Sequence, residues 1–291
     1  MTVAVCTRDR PEMLADTLNA LIAQAEPITE IVVVDQGRQR PARVPAADSG
    51  PPIVVIRDRG EGLSRARNLA VQRATTSWVA FLDDDCLPDP DWAQSLARAC
   101  AEHLTAELVS GPVRAGYLPH GDLRAVGVRT VNRTGLRSGG WTPPLAIGHG
   151  ASFAVRREVV QRLGGWDERL GAGTRPFPAG EDSDFNYRFL RSGGVAYVTS
   201  QPGVTHRQWR TEPELAKLHA GYLAGNSGCA IKHLRTGDKA GGVWLWMRLA
   251  GGVAYMFAGA IRNRSALHWR LAIAQACGFA TGTAAGFRQA W

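Results

Sequence analysis

Apolar residues in the early part of the chain come in short unbroken runs, at 2–6, 30–35, 53–56, 79–82 and 108–113. Runs of this length without polar alternation predict strands buried on both faces, as in a parallel sheet covered by helices. Between them the apolar positions recur at helical spacing. A helix is predicted from Pro11 through Leu14, Leu18, Leu21 and Ile22, with proline in the first turn, where its missing N–H is tolerated. Others are predicted over 61–70, with Ser64 as N-cap, and over 91–103. Residues 37–52, punctuated by Gly37, Pro41, Pro45, Gly50, Pro51 and Pro52, read as an irregular loop. This β/α alternation predicts an α/β fold, a doubly wound, mostly parallel sheet flanked by helices.

From 116 to 142 the chain is polar, rich in Gly and Arg, and too weakly periodic to define an element. Patterning resumes with a strand over 148–156, a short helix over 157–163 and a turn over 164–170. A helix over 180–190 begins on acids, which the helix dipole favours. Strands over 195–199 and 203–206 and a long helix over 212–235 follow, and Gly237 then introduces a different kind of sequence. The expected organisation is an α/β unit over 1–210 and a C-terminal helical region over 211–291.

The polar residues that interrupt the pattern carry the candidate chemistry. The apolar run 79–82 leads straight into Asp83, Asp84 and Asp85. Three adjacent carboxylates repel one another and are costly to bury. They fit the carboxyl edge of an open α/β sheet, where such folds bind ligands. Oxygen ligands on a short turn suit Mg²⁺ or Mn²⁺ shared with substrate phosphates; the plainer alternative is a solvated acidic turn before the next helix. Other strands of this part also end in polar groups, at Thr7 to Arg10 and at Asp35. Asp35 is a candidate acceptor for a base N–H, and Arg10 and Arg67 are candidates for phosphate pairing. Glu181 and Asp182 form a second acidic focus, either matching a helix dipole or supplying a general base. Asp184 and Arg188, four apart, read as a helix-surface pair. His206 ends a strand and is either structural or a metal ligand. Trp166 and Trp209 are either core or sugar-stacking residues. No GxGxxG follows the first strand and no GxxxxGK[ST] occurs, which disfavours the dinucleotide fold and the P-loop.

Composition narrows the classes further. With 45% hydrophobic residues in 291, the chain can bury a sizeable core. Five cysteines, odd in number and without a CxxC, argue against a disulfide framework or zinc site and for a reducing compartment. A strand-like run at the very start predicts no signal peptide. The net charge of +8 fits a polyanionic ligand or an anionic membrane surface. Much of it lies from Arg235 onward, where seven Lys and Arg face one acid, Asp238, a net +6. The stretch 243–261 contains Trp244, Trp246, Tyr255 and Phe257 and one charge, Arg248; 271–287 is richer in Ala, Gly and Thr. Arg248 and the glycine pair Gly251–Gly252 argue against a clean membrane span. The expectation is peripheral attachment to an anionic inner leaflet, with helices docked on the α/β unit as the alternative.

Taken in order, the segments Val3-Ala-Val-Cys-Thr-Arg-Asp-Arg-Pro11, Ile31-Val-Val-Val-Asp35, Gly62-Leu-Ser-Arg-Ala-Arg-Asn68, Phe81-Leu-Asp-Asp-Asp85, Gly164-Gly-Trp-Asp-Glu168 and Gly180-Glu-Asp182 resemble a family 2 glycosyltransferase of the GT-A, Rossmann-like fold. The likeness spans about 1–210. It implies an inverting transfer of a hexosyl or deoxyhexosyl group from a nucleotide-sugar donor to a hydroxyl of a glycan or lipid-linked acceptor, in cell-wall or polysaccharide biosynthesis, without nucleic acid. Asp35 and the Thr7 segment would meet the base, with Arg10, Arg67 and Asp84 also on the donor. Asp83 and Asp85 match the ends of the DxD motif, the first near the ribose, the last on Mn²⁺ or Mg²⁺. Asp182 matches the catalytic base, with Glu181 as alternative, and His206 a C-terminal metal-contacting histidine. Location would be cytoplasmic, at the inner face of the membrane. The sequence departs from the family at Gln36-Gly37-Arg38, where Asn or Gly, then Ser, is common. Two rivals remain, a metal-dependent phosphohydrolase, against which Cys86 and Leu87 after Asp85 count, and a non-catalytic glycan- or membrane-binding member.

Overall fold

Strand β1 (Thr2–Thr7) sends Val3 and Val5 to one side of a sheet and Ala4 to the other, and all three are buried. That single alternation sets up two cores. In a computed structural model, which describes residues 1–24, 26–39, 42, 44–45, 50–117, 121 and 123–291, both are filled. On the first face β1 is joined by α1 (Pro11–Ile22), which contributes Leu14, Leu18 and Leu21. Strand β2 (Glu30–Asp35) is buried throughout, with Ile31 and Val33 on that face and Val32 and Val34 on the other. After β3 (Ile53–Arg57), α2 (Leu63–Arg73) covers the second face with Ala66, Ala70 and Val71. Strand β4 (Trp78–Asp83) and the short β5 (Cys86–Pro88) precede α3 (Trp92–Glu102), which returns Trp92 and Leu96 to the first face.

The middle of the chain contains β6 (Leu108–Ser110), β7 (Val113–Ala115), β8 (Arg124–Ala125), β9 (Gly135–Arg137), a 3₁₀ turn at Pro144–Ile147 and β10 (Ser152–Arg156). Then come α4 (Arg157–Arg162), α5 (Glu181–Arg191), β11 (Ala196–Val198), β12 (Val204–His206), β13 (Trp209–Arg210) and the helices α6 (Glu212–Arg235), α7 (Lys239–Asn263) and α8 (Ala266–Arg288). The main sheet has eight strands in the order β3-β2-β1-β4-β10-β6-β11-β9. Only β10 and β9 run against the rest, so the expected mostly parallel α/β sheet flanked by helices, with helices at the C-terminus, is what forms. A second sheet, β5-β12-β7, and the pair β13-β8 stand beside it.

Several details differ from the sequence reading. The run 108–113 is two strands in different sheets, because Gly111 and Pro112 interrupt it and Pro112 has no N–H for a ladder. Helix α2 is capped at Gly62, and the Ser64 hydroxyl instead donates to the Leu170 carbonyl at 2.7 Å. Within 37–52, residues 40, 41, 43 and 46–49 lie outside the described residues, as do 118–120 and 122 within 116–142. Trp166 is core, 2% exposed and ringed by Phe81, Phe153 and Phe185.

Asp184 is the largest correction. It does pair with Arg188, at 2.8 Å, but it is fully buried rather than on a helix surface. Its other oxygen receives Lys232 Nζ at 2.7 Å and His233 Nε2 at 2.9 Å, both from α6. Lys232 also pairs with Asp167 at 2.7 Å. Burial alone would raise the Asp184 carboxyl, but Arg188, His233 and Lys232 overcome it and hold it far below the usual range. Close backbone contact reinforces this joint: a Cβ on Gly180 would lie 2.7 Å from the Gly225 carbonyl oxygen of α6. Gly180 also has φ of 95°, a left-handed conformation natural to glycine. Helices α6 and α8 approach just as closely through Gly278 and Gly282, where added Cβ atoms would lie 2.1 Å from the carbonyl oxygens of Ala220 and Ala224.

Asp184→Asn removes the anion shared by Arg188, Lys232 and His233. Losing one partner of a buried ion pair costs about 3–5 kcal/mol, so urea unfolding of Asp184→Asn is expected to show a loss of that size. A loss below about 1 kcal/mol, the range of exposed pairs, would show that the network is not a buried one in solution.

Candidate active site

Strands β1, β2 and β4 are parallel neighbours, so their carboxyl ends meet: Thr7 lies beside Asp35 and Cys6 beside Asp83 in the ladder. There the chain leaves β4 through Asp84 and Asp85 and enters β5, which pairs with β12 so that His206 stands opposite Cys86. This second sheet is how a histidine far along the chain reaches the acidic turn.

Each carboxylate of the triplet has its own surroundings. Asp84, 5% exposed, accepts from Thr7 Oγ1 at 2.7 Å and Arg10 Nη1 at 3.2 Å. Burial pushes its carboxyl up despite Arg10. Asp85, fully buried, takes Arg10 Nη1 at 2.7 Å, His206 Nε2 at 3.1 Å and the Gln208 amide. Burial would raise it, but the His206 hydrogen bond and charge, with Gln208 and Arg10, hold it down at about 2. Asp83 has no comparable donor among the described residues; burial and then the Asp85 charge push it up to about 6.

One oxygen each of Asp83 and Asp85, His206 nitrogen and Cys86 sulfur lie within 4.8 Å of one another. The set fits a hard or borderline divalent cation through its oxygens and nitrogen. His206 Nδ1 lies 2.7 Å from the Val126 carbonyl, which requires a proton there. In the neutral ring Nε2 would then turn a lone pair on Asp85. That contact is favourable only with a proton or a cation between them. Burial disfavours the proton, and the Asp85 hydrogen bond and charge restore it, so the His206 pKa is raised. Cys86 is buried and its thiol is pushed far up by burial and the three acids, which leaves it a neutral S–H. The other cluster of ligand-type atoms among the described residues, Asp184, Cys229 and His233, already has Lys232 and Arg188 as its cations.

Helix α5 delivers the second acidic focus. Asp182 Oδ1 receives Arg67 Nη1 at 2.7 Å and its Oδ2 receives the Gly150 N–H at 2.9 Å. Glu181 lies 3.7 Å from the same guanidinium nitrogen, and burial with the Asp182 charge pushes it up to about 7. Arg67 itself is 2% exposed; burial would lower its pKa, but Asp182, Glu181 and Asp83 raise it further. It therefore stands between the two groups of acids.

Beside the triplet opens a cleft of about 300 Å³, lined by Thr7, Arg8, Arg10, Gln36, Asp83 and Gln208 among others. The structure thus brings together Thr7, Arg10, Asp83, Asp84 and Asp85 as expected, with His206 bonded to Asp85 from behind. Asp35 and Arg67 sit differently. Asp35 is 1% exposed and its oxygens are engaged by Gly37 N, Ala42 N and Arg57; Arg67 is occupied by Asp182. Sequence reasoning marked Gln36 only as part of a departure from the family pattern, and did not single out Gln208, Arg8 or the Gly150 N–H. Arg8 lay inside the quoted Thr7 segment, whereas Gln208 and Gly150 had no local signal, since their partners come from other elements.

The family profile described as Glycosyl transferase family 2 matches residues 2–164. The succinoglycan biosynthesis protein ExoM of Rhizobium meliloti is 31% identical over 208 residues, covering 66% of this chain and 62% of that protein, a little under two thirds of its length. The glucosyl-dolichyl phosphate glucuronosyltransferase of Haloferax volcanii is 25% identical over 227 residues, covering 73% and 71%. Among solved structures, the mannosyltransferase PcManGT from Pyrobaculum calidifontis, in complex with GDP-Man and Mn²⁺, has a TM-score of 0.55 at 18% identity over 98% of this chain and 86% of that one, a likeness of fold.

If Asp85 is a direct ligand and Gln208 an outer partner, their losses differ in size. Gln208→Ala is expected to weaken Mn²⁺ binding by about 10–100-fold, the usual cost of an outer partner, and Asp85→Ala by more than that, both read by calorimetry. Unchanged affinity in Asp85→Ala would remove Asp85 from the metal site.

Proposed function

The chain belongs to glycosyl transferase family 2, and on that premise we propose that it transfers a hexosyl or deoxyhexosyl group from a nucleoside diphosphate donor to a hydroxyl of a glycan or lipid-linked acceptor, with inversion. The observation that carries this reading is the cleft flanked on one side by Asp83, Asp85 and His206 and joined through Arg67 to Glu181 and Asp182. In this reading residues 1–210 are the catalytic unit and 211–291 brace α5 and extend it.

Arg10 and Arg8 line the cleft and carry the positive charge that would receive a diphosphate. Thr7 and Asp84 keep Arg10 in place rather than touching the reacting atoms. Asp83, Asp85 and His206 would hold Mn²⁺ or Mg²⁺, whose charge would stabilise the departing diphosphate. Asp182 removes the proton of the attacking hydroxyl, so attack comes from the face opposite the leaving group and inverts the anomeric carbon. The Gly150 N–H and Arg67 fix the direction of its carboxylate. Glu181, pushed up to about 7 by burial and then by Asp182, is the alternative base.

Asp182→Asn keeps the shape and removes the basicity. Loss of a general base costs about 10²–10⁴ in rate, so Asp182→Asn is expected to bind donor normally and to transfer that much more slowly. Should Glu181→Gln suffer the larger fall in kcat, the roles are exchanged; equal damage to donor affinity in Asp182→Asn would point to a structural role.

No helix of the described residues is long and apolar enough to cross a membrane. Helices α7 and α8 still leave Val243, Met247, Tyr255, Ile261, Trp269, Ile273 and Phe287 exposed, and residues 235–291 have seven Lys and Arg against one acid. This composition supports peripheral attachment in the plane of an anionic cytoplasmic leaflet, beside a lipid-linked acceptor. The full chain is expected to sediment with phosphatidylglycerol-containing vesicles at low salt and less at high salt, and Met247→Glu combined with Ile273→Glu to release it. Protein that stays in the supernatant at low salt would end the membrane reading.

A further inference from the structure

One wall of the cleft is a turn rather than a strand end. Ala172 and Gly173 line it, between Leu170 and the start of α5. The turn is closed on itself: the Gly171 N–H donates to the Phe177 carbonyl at 3.0 Å, and Thr174 Oγ1 lies 2.8 Å from the carbonyls of both Gly171 and Phe177. It is tied to α2 by the Leu63 N–H on the Ala172 carbonyl at 2.9 Å and by Ser64 Oγ on the Leu170 carbonyl at 2.7 Å. A Cβ on Gly171 would lie 3.2 Å from Glu181 Cβ, and one on Gly173 3.6 Å from Arg8 Nη1. The turn therefore stands between the second acidic focus and the basic side of the cleft.

What holds this turn from outside lies far along the chain. Phe177 is fully buried, and its ring is stacked on Trp291 with centroids 5.1 Å apart and 24° between the planes. Leu170 and Cys229 of α6 complete that small cluster. Arg169, just before the turn, sets its guanidinium 5.0 Å from the Trp291 ring centroid and donates to the Ala290 carbonyl at 3.1 Å. Its other nitrogens grip Asp167, at 2.8 Å each. Trp291 is itself anchored. Its Nε1 donates to the Gly286 carbonyl at 2.8 Å, and Arg235 of α6 reaches the Gly286 and Gln289 carbonyls at 3.1 and 2.6 Å. Ring stacking and a guanidinium over an indole are directional contacts. They fix Phe177 and Arg169 relative to α8 rather than only covering them.

We propose that Trp291 is a positioning residue for the cleft: by holding Phe177 and Arg169 it sets where Ala172 and Gly173 stand, and through them how tightly a nucleoside diphosphate is held. The ligand rests on the donor reading given above; the coupling of Trp291 to the turn stands apart from it. Between its two ends the turn has little to hold it. Residues 172, 173, 175 and 176 are exposed, and only Leu170 and Phe177 reach a core. A segment with few buried apolar contacts opens locally at low free energy, so its order depends on its ends. Without the indole, one face of Phe177 is uncovered and Arg169 loses its stacking surface. The strands keep their own cores and are unaffected. Asp83, Asp85 and His206, placed by β4, the turn after it and β12, are unaffected too.

Hydrogen exchange of the full chain tests the coupling, and calorimetry tests its consequence. In Trp291→Ala the amides of 168–177 are expected to exchange about tenfold faster, with those of 2–7 and 79–85 unchanged. Trp291→Phe, which keeps a ring on Phe177, is expected to exchange as the unaltered protein does. In Mn²⁺, the tightest binder among UDP, dTDP, GDP, CDP and ADP is expected to bind Trp291→Ala about five- to tenfold more weakly and Trp291→Phe as before. Mn²⁺ alone is expected to bind all three proteins alike. Unchanged exchange over 168–177 in Trp291→Ala overturns the proposal, as does faster exchange spread evenly over the strands, which is a general loss of stability. Unchanged nucleotide binding, a loss that Trp291→Phe does not restore, or a matching loss of Mn²⁺ affinity overturns it as well. If none of the five nucleotides binds the unaltered protein, the donor reading falls, and exchange over 168–177 alone upholds or overturns the coupling.

Discussion

A buried strand that ends in three carboxylates is an electrostatic constraint that the surrounding structure must answer. Strand β4 has Val79, Ala80, Phe81 and Leu82 in the core, so Asp83, Asp84 and Asp85 emerge where water is scarce and their mutual repulsion is strong. Each answer comes from a different element. Thr7 and Arg10 arrive from the end of β1 and the start of α1; His206 and Gln208 arrive from β12 and just beyond it. The small sheet β5-β12-β7 makes sense in these terms, because pairing β12 with β5 is what sets His206 against Asp85. Asp83, on the wall of the cleft, is the least paired of the three among the described residues, pushed up to about 6 by burial and by Asp85 against the charges of Arg67 and His206.

Helix α5 is clamped at both ends of its chemistry. Its first turn offers Glu181 and Asp182 to Arg67, and one turn later Asp184 faces Lys232 and His233 of α6. An acidic helix start would be stabilised by its dipole alone by only a fraction of a kcal/mol to about 2 kcal/mol. Here the buried ion pairs on both sides define its position far more narrowly. The C-terminal helices are therefore part of what sets the direction of the Asp182 carboxylate, since α6 meets the Gly180 turn backbone to backbone. Helix α6 is thus a structural brace for α5, while the exposed apolar residues lie on α7 and α8.

Much of this was legible in the chain. The unbroken apolar runs and the leucines of α1 at helical spacing specify strands and helices through periodicity, which is a local property. The ordered motifs placed the acids at strand ends and so predicted their convergence. Local pattern erred where a residue's role depends on what lies across from it. Asp184 and Arg188 had the spacing of a surface pair, but nothing near them in sequence announced Lys232. Ser64 looked like an N-cap, yet Leu170 offered its hydroxyl a partner and Gly62 took the cap.

The sequence by itself determined the α/β class, the order of most elements and the identity of the acidic groups, because hydrophobic periodicity and adjacent charges act over a few residues. Tertiary structure alone decided which acids remain open to a ligand. Asp35 and Asp83 both end buried parallel strands, and only the fold shows that Arg57 and two backbone N–H groups seal one while the other faces the cleft. The reason is physical: desolvation and hydrogen-bond saturation depend on the atoms packed around a group, and those atoms come from distant parts of the chain.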